Sequence, residues 1–315
     1  MIRPLALLAA LVVALAPVPA VAAPVTGPAL GTSPAVLAAA LTCTPDIDHP
    51  SRTPVLLVHG TGVDAASNFE TNYWLALPRL GYPTCLVSLP DKAMGDLQTS
   101  AEDVVSAIRT MSTRSGRKIS AIGHSQGGTL LFWALRFWPD LASQLDDVIT
   151  WGAPAQGTLD SNIACLPLCA PALWQMRAGS AFNAALTRAP VPAGPSYSNL
   201  ISLTDEISTP QPLSSAMPGA GRVILQARCA GRVVGHIGMA MDAEVYALTM
   251  DALTHAGPAD PLRIPLGTCL KAYGAGFDQI TWNRKLAAGL LDFATEVLEN
   301  RTDRCEPPLQ AYARV

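Results

Sequence analysis

Two spacings of apolar residues alternate along the chain. Short unbroken apolar runs sit between turn residues, and longer stretches repeat apolar residues near every third or fourth position. Pro54–Val58 is one such run and reads as a strand covered on both faces. Thr84–Leu89, Lys118–Ile122 and Val148–Trp151 read as further strands, with Asn199–Leu203 and Arg222–Ala227 later in the chain. Between them, Glu70–Leu80 has helical spacing, and Gly81 suits a helix C-cap. Leu97–Ser115 carries Val104, Val105, Ile108 and Met111 near one face and ends at Gly116. Gly127–Trp138 reads as a helix stopped by Pro139. Strands alternating with helices predict an α/β fold with a mostly parallel central sheet flanked by helices.

Between Thr158 and Pro195 this rhythm lapses. Pro167, Pro171, small residues and a Leu/Trp/Met group stand there instead, which predicts a small lid-like insertion over the sheet's carboxyl edge. The competing reading of its apolar residues is core packing under a loop. Asn283–Asn300 reads as an amphipathic helix with Leu286, Leu290, Phe293 and Val297 on one face. No internal repeat is visible.

At the N-terminus, Arg3 precedes the apolar run Leu5–Ala16, and Ala20-Val21-Ala22 fits a small-residue cleavage site. A membrane anchor is the competing reading, but a span needs about 20 apolar residues and this run is shorter. The expected organisation is a signal peptide over 1–22, an N-terminal wrap over 23–52 and one domain over 53–315, with the insertion at about 158–195. The mature chain is then secreted, to the medium or the periplasm, with no transmembrane segment.

Composition narrows the function. Half of the 315 residues are apolar and only 14% are charged, with a formal net charge of −3. That excludes disorder and argues against nucleic-acid binding, for which a basic patch is needed. Seven cysteines fit an oxidising compartment. Only Cys165 and Cys169 are close together, and no histidine lies near them, so zinc spacing is missing.

The chemistry concentrates at Gly123-His124-Ser125-Gln126-Gly127, which follows a strand and opens a helix. A nucleophile elbow requires that context: a serine in a sharp strained turn, flanked by glycines where side chains would collide. An ordinary Gly-rich turn gives similar letters, but without a strand before and a helix after. A serine hydroxyl needs a histidine to take its proton and an acid to orient that histidine, in the chain order Ser, Asp/Glu, His. Of the five histidines, His236 and His255 follow Ser125 at a distance. His236 lies in a small-residue loop after a strand and is the better base, whereas His255 ends a helix and suits the dipole there. Asp205 directly follows a strand and is the candidate acid, with Glu206 its competitor and Asp242 and Asp160 weaker alternatives. His124 adjoins the nucleophile and points elsewhere in an elbow. Oxyanion donors are expected at the backbone N–H of Gln126 and at Thr61, in the turn His59-Gly60-Thr61-Gly62.

With these residues in place, the chain resembles the lipase B family of Candida antarctica from about Leu41 to Arg314. The matching segments are PVLLVHGTG at 54–62, GYPTC at 81–85, SQGG at 125–128, LTDEI at 203–207, QARC at 226–229 and CEPPLQAYAR at 305–314. The resemblance implies an α/β-hydrolase fold, the triad Ser125, Asp205 and His236, and oxyanion residues Thr61 and Gln126. It implies hydrolysis of triacylglycerols and simpler esters without metal or cofactor, and disulfides Cys43–Cys85 and Cys229–Cys269. It also leaves Cys305 without its downstream partner. Cys165 and Cys169 lie outside the family pattern, and their closing a small loop stays open. His124 replaces a family tryptophan, so the family's selectivity does not carry over. The substrate pocket is expected around His124, Val63, Ile207 and Met176. The expected protein is a secreted monomeric lipase or carboxylesterase acting on an ester or lipid, at a lipid–water interface where the substrate forms one. A secreted acyltransferase with the same acyl-enzyme, and a non-catalytic binding protein on the same fold, are the alternatives.

Overall fold

The computed structural model describes residues 26–314; the expected signal peptide over 1–22 lies outside the described residues. Seven strands form one sheet: β1 (Leu41–Cys43), β2 (Val55–Val58), β3 (Thr84–Val87), β4 (Ile119–His124), β5 (Leu145–Trp151), β6 (Ser196–Ile201) and β7 (Gly221–Ile224). Their order is β1-β3-β2-β4-β5-β6-β7. Only β1 is antiparallel, paired to β3; every other neighbour is parallel. The expected mostly parallel α/β-hydrolase sheet is the observed one.

The sheet is buried on both faces because its strands are apolar on both. Leu56 and Val58 of β2 point into one core, and Val55 and Leu57 into the other. The first core is closed by α4 (Leu97–Ser115) and α5 (Gln126–Phe137), with α1 (Pro34–Ala39) packed on α4. The second is closed by α2 (Ala65–Phe69), α3 (Tyr73–Arg79), α9 (Leu225–Arg228) and α10 (Ala243–Thr254). The insertion carries α6 (Leu159–Ala164), α7 (Pro171–Gln175) and α8 (Ala181–Thr187), and the chain closes with the long helix α11 (Gln279–Glu299).

Several sequence expectations shift. The helix expected over Glu70–Leu80 is α3, which starts three residues late, at Tyr73, because the Asn72 carboxamide caps Tyr73 N at 2.5 Å and separates it from the short α2 before it. β5 begins three residues early, at Leu145-Asp146-Asp147, where the acidic pair masks a strand whose Asp147 takes the Ser120 hydroxyl at 2.9 Å. β6 likewise begins early, on the polar Ser196 and Ser198. β7 is cut short by α9 within the strand expected over Arg222–Ala227. The 97–115 helix and its left-handed Gly116 (φ 63°) stand as expected.

Three disulfides are present among the described residues. Cys43–Cys85 joins the directly paired residues of β1 and β3, and Cys229–Cys269 ties α9 to the later chain. Cys165–Cys169 closes the small loop in the insertion, and Cys305 is free and exposed. Cys169 also pairs through its backbone with Asp303, so this loop grips the chain just beyond α11. No helix among the described residues is long and apolar enough to cross a membrane.

Candidate active site

β4 ends at His124 and α5 begins at Gln126, so Ser125 alone makes the turn. Its backbone takes φ 55° and ψ −125°, a region that costs a non-glycine residue about 1–3 kcal/mol. Three hydrogen bonds hold it there: Ser125 N–H donates to Trp151 O at 2.8 Å, and Ser125 O accepts from Gly128 N–H at 3.0 Å and Thr129 N–H at 3.3 Å. The neighbouring glycines are obligatory. A Cβ on Gly127 would fall 2.2 Å from Val58 O, and one on Gly123 would fall 2.5 Å from Gly128 N.

Asp205 and His236 come from loops after β6 and α9 and meet beside this turn. His236 Nδ1 lies 2.7 Å from Asp205 Oδ2, and both side chains are buried. The other carboxylate oxygen, Oδ1, accepts the N–H groups of Ile207 at 2.9 Å and Ser208 at 2.8 Å. Burial pushes the Asp205 carboxyl up, but these bonds and His236 outweigh it and hold it below the usual carboxylate range. Asp205 is therefore an anion that fixes the Nδ1–H tautomer of His236 and leaves Nε2 free to take a proton. Ser125 and His236 border one cavity. No hydrogen bond joins the Ser125 hydroxyl to His236 in this resting geometry; such bonds often tighten only once substrate is bound.

The alternative acids have other duties. Glu206 Oε2 accepts the backbone N–H of His236 at 2.9 Å, away from the ring. Asp242 caps α10 and pairs with Arg232 at 2.6 Å. Asp160 accepts from the Thr209 hydroxyl at 2.9 Å. His255, at the C-terminal end of α10, pairs with Asp251.

Thr61 meets Gln126, the residue after Ser125, with Thr61 Oγ1 donating to Gln126 Oε1 at 2.5 Å. The Gln126 N–H opens α5 and has no partner within the helix. The helix N-terminus adds its partial positive charge at the same point.

The cavity measures about 730 Å³. Its lining includes Ser125, His236, Thr61 and all four expected pocket residues, His124, Val63, Ile207 and Met176. The insertion contributes Thr158, Asp160, Ser161, Ala164, Leu173 and Met176. The opposite wall was not apparent from the sequence: it is α11, whose stripe Leu286, Leu290, Phe293 and Val297 faces the cavity rather than a core. None of the residues of α11 is buried. Two ion-pair groups hold it: Lys92 with Asp292 and Glu296, and Lys285 with Glu70.

His124, at the end of β4, lines the same cavity. Its Nδ1 is 3.1 Å from Asn68 Oδ1, and its Nε2 is 3.1 Å from the His236 carbonyl oxygen. Burial, and then the nearby His236, push its pKa down to about 3, so the ring is neutral at working pH. Asn68 is a site residue that carries no signal in the sequence: it stands in a short helix with no motif around it. No cluster of three or more His, Cys, Asp or Glu side chains among the described residues is arranged to hold a metal ion.

Comparison with known proteins places this arrangement. No family model matches the chain. It is 32% identical to lipase B of Pseudozyma antarctica over 91% of this chain and 86% of that protein. It also superposes on the crystal structure of Aspergillus fumigatus lipase B with a TM-score of 0.84, at 25% identity, over 92% of this chain and 74% of that one.

Proposed function

The chain belongs to the lipase B family and is a carboxylic-ester hydrolase; from that premise we propose that it is a secreted lipase or esterase working through Ser125, Asp205 and His236. Ser125 Oγ adds to the ester carbonyl while its proton passes to His236 Nε2. The oxyanion that forms is held by the N–H groups of Thr61 and Gln126. Collapse breaks the bond to the alcohol, which leaves with the proton from His236. Water then attacks the acyl-enzyme with His236 again as base, releasing the acid and restoring Ser125.

The observation that carries this reading is the buried 2.7 Å bond between Asp205 and His236, beside a serine held at positive φ on the same apolar cavity. Interfacial substrates are supported by exposed apolar residues that line that cavity, Ile237 and the α11 residues Leu286 and Leu290. Secretion is supported by the disulfides and by the leader pattern in the sequence.

The test is a set of initial rates on p-nitrophenyl esters of rising chain length, below and above their solubility limits, with Ser125→Ala alongside. A rate jump at the interface marks a lipase, and loss of activity beyond short chains marks an esterase. Full activity in Ser125→Ala refutes the triad. Preferential transfer of the acyl group to an added alcohol marks an acyltransferase instead.

A further inference from the structure

His124 joins two loops that the reaction needs to keep in register. One ring nitrogen faces the carbonyl of His236 at 3.1 Å. The other faces Asn68 Oδ1 at 3.1 Å, and that same oxygen accepts the N–H of Gly60 at 3.0 Å. The Gly60 bond fixes which end of the Asn68 amide is oxygen, because a flipped amide would set N–H against N–H. Close polar contacts therefore run from the Gly60–Thr61 turn through Asn68 and His124 to the backbone of His236, with the neutral ring hydrogen-bonded at one of its two ends. The two imidazoles lie 5.2 Å apart, tilted by 32°. Trp151 backs the His124 ring at 6.2 Å, so His124 has little room to swing. Both partners of the ring are acceptors, and a neutral imidazole has a single N–H to share between them.

We propose that His124 is a positioning residue: its imidazole is the strut that sets the separation between the His236 loop and the Gly60–Thr61 turn. The proposal rests on the assignment of Ser125, His236 and Thr61 given above. His124 touches neither the transferred proton nor the oxyanion. It acts through Asn68 and the His236 carbonyl, so its loss blurs the alignment of base and oxyanion donor and does not remove either. Misalignment penalises the transition state more than ground-state binding.

The test uses His124→Phe, which keeps a ring and deletes the one N–H bond that the neutral imidazole can make, and His124→Gln, which restores an N–H donor. On a soluble short-chain ester, His124→Phe lowers kcat on the order of tenfold while KM changes little. His124→Gln recovers most of that loss. Asn68→Ala, made in wild type and in His124→Phe, costs less in the second background, because the path is already cut. A kcat for His124→Phe within about twofold of wild type overturns the proposal. So does a His124→Gln variant no better than His124→Phe, or effects of Asn68→Ala and His124→Phe that simply multiply. If His124→Phe does not fold, the kcat of His124→Gln and Asn68→Ala, each expected below wild type with KM held, decides by itself. Ser125→Ala in the same assay separates the levels. Activity surviving there removes the triad, and this inference with it; an inactive Ser125→Ala beside an unimpaired His124→Phe removes the strut alone.

Discussion

Lys92 and Asp292 lie 2.9 Å apart although 200 residues separate them, and the same ammonium reaches Glu296 at 2.8 Å. The backbone of Lys92 also takes the Gly62 N–H at 2.7 Å, one residue beyond Thr61. A single residue thus contacts both the turn beside Ser125 and the helix that walls the cavity.

Replacing Lys92 with Met should loosen α11 and leave the core untouched. The expected outcome is faster cleavage within α11 by a broad-specificity protease. In wild type the same acceleration should appear at about 1 M salt, where screening extends over only about 3 Å, and Lys92→Met should respond little to salt. Equal salt responses in the two proteins would exclude the ion pairs as the tether.

Asp205→Asn should lower kcat/KM by on the order of 10⁴-fold, since an amide supports the wrong imidazole tautomer. The folded carboxyl titrates below its ordinary value, so its contribution to stability is present above the unfolded pKa and lost as pH falls through the folded one. The Tm gap between wild type and Asp205→Asn is therefore widest near neutrality and closes in acid. A gap constant across that range would contradict the assignment of Asp205 as a native anion.

Glu244 behaves in the opposite sense. It is fully buried in the first turn of α10, and neither carboxylate oxygen has a hydrogen-bond partner. Burial, and then the Asp242 charge, push its pKa up to about 7. Between its ordinary value and that one, the folded state binds more protons than the unfolded state, so stability falls as pH rises through the window. Glu244→Gln removes this penalty. It should raise Tm at pH 8 and leave it nearly unchanged near pH 4, and a variant less stable than wild type at pH 8 would refute the buried-acid reading.

Gly62→Ala should be costly at both levels. Gly62 has φ +70°, and an added Cβ would sit 2.5 Å from the Phe293 ring of α11. The strain alone costs about 1 kcal/mol or more. The collision must either displace α11 or shift the Thr61 turn, so activity should fall together with Tm. Phe293→Ala placed on top should restore activity while leaving the backbone strain, a partial rescue visible as recovered rate without recovered Tm.

What the sequence made legible follows the range of the interactions involved. Ser125 was readable because its turn is local: glycines at 123 and 127, a strand before and a helix after. Asp205 and His236 were readable through chain order, as loop residues after regular elements. The late start of α3 at Tyr73 was hidden, because a side-chain cap at Asn72 overrides helical spacing. The polar start of β5 was hidden as well, since Asp146 and Asp147 are tolerated only beside particular neighbours. His124 could be seen as unusual, yet its partners lie 56 and 112 residues away, and no periodicity encodes them. The stripe on α11 was visible, but its facing a cavity and not a core depends on the whole tertiary arrangement.

That stripe has a thermodynamic corollary. A helix whose apolar side meets a binding chamber has its hydrophobic contacts completed by the hydrocarbon of whatever it binds. Occupancy and helix order are then coupled quantities. An amphiphile too inert to be cleaved should still steady α11, raising the melting temperature with the logarithm of its concentration once that exceeds Kd. For this chain, a thermal shift with a non-hydrolysable alkyl ligand would report affinity along the chamber without any turnover at all.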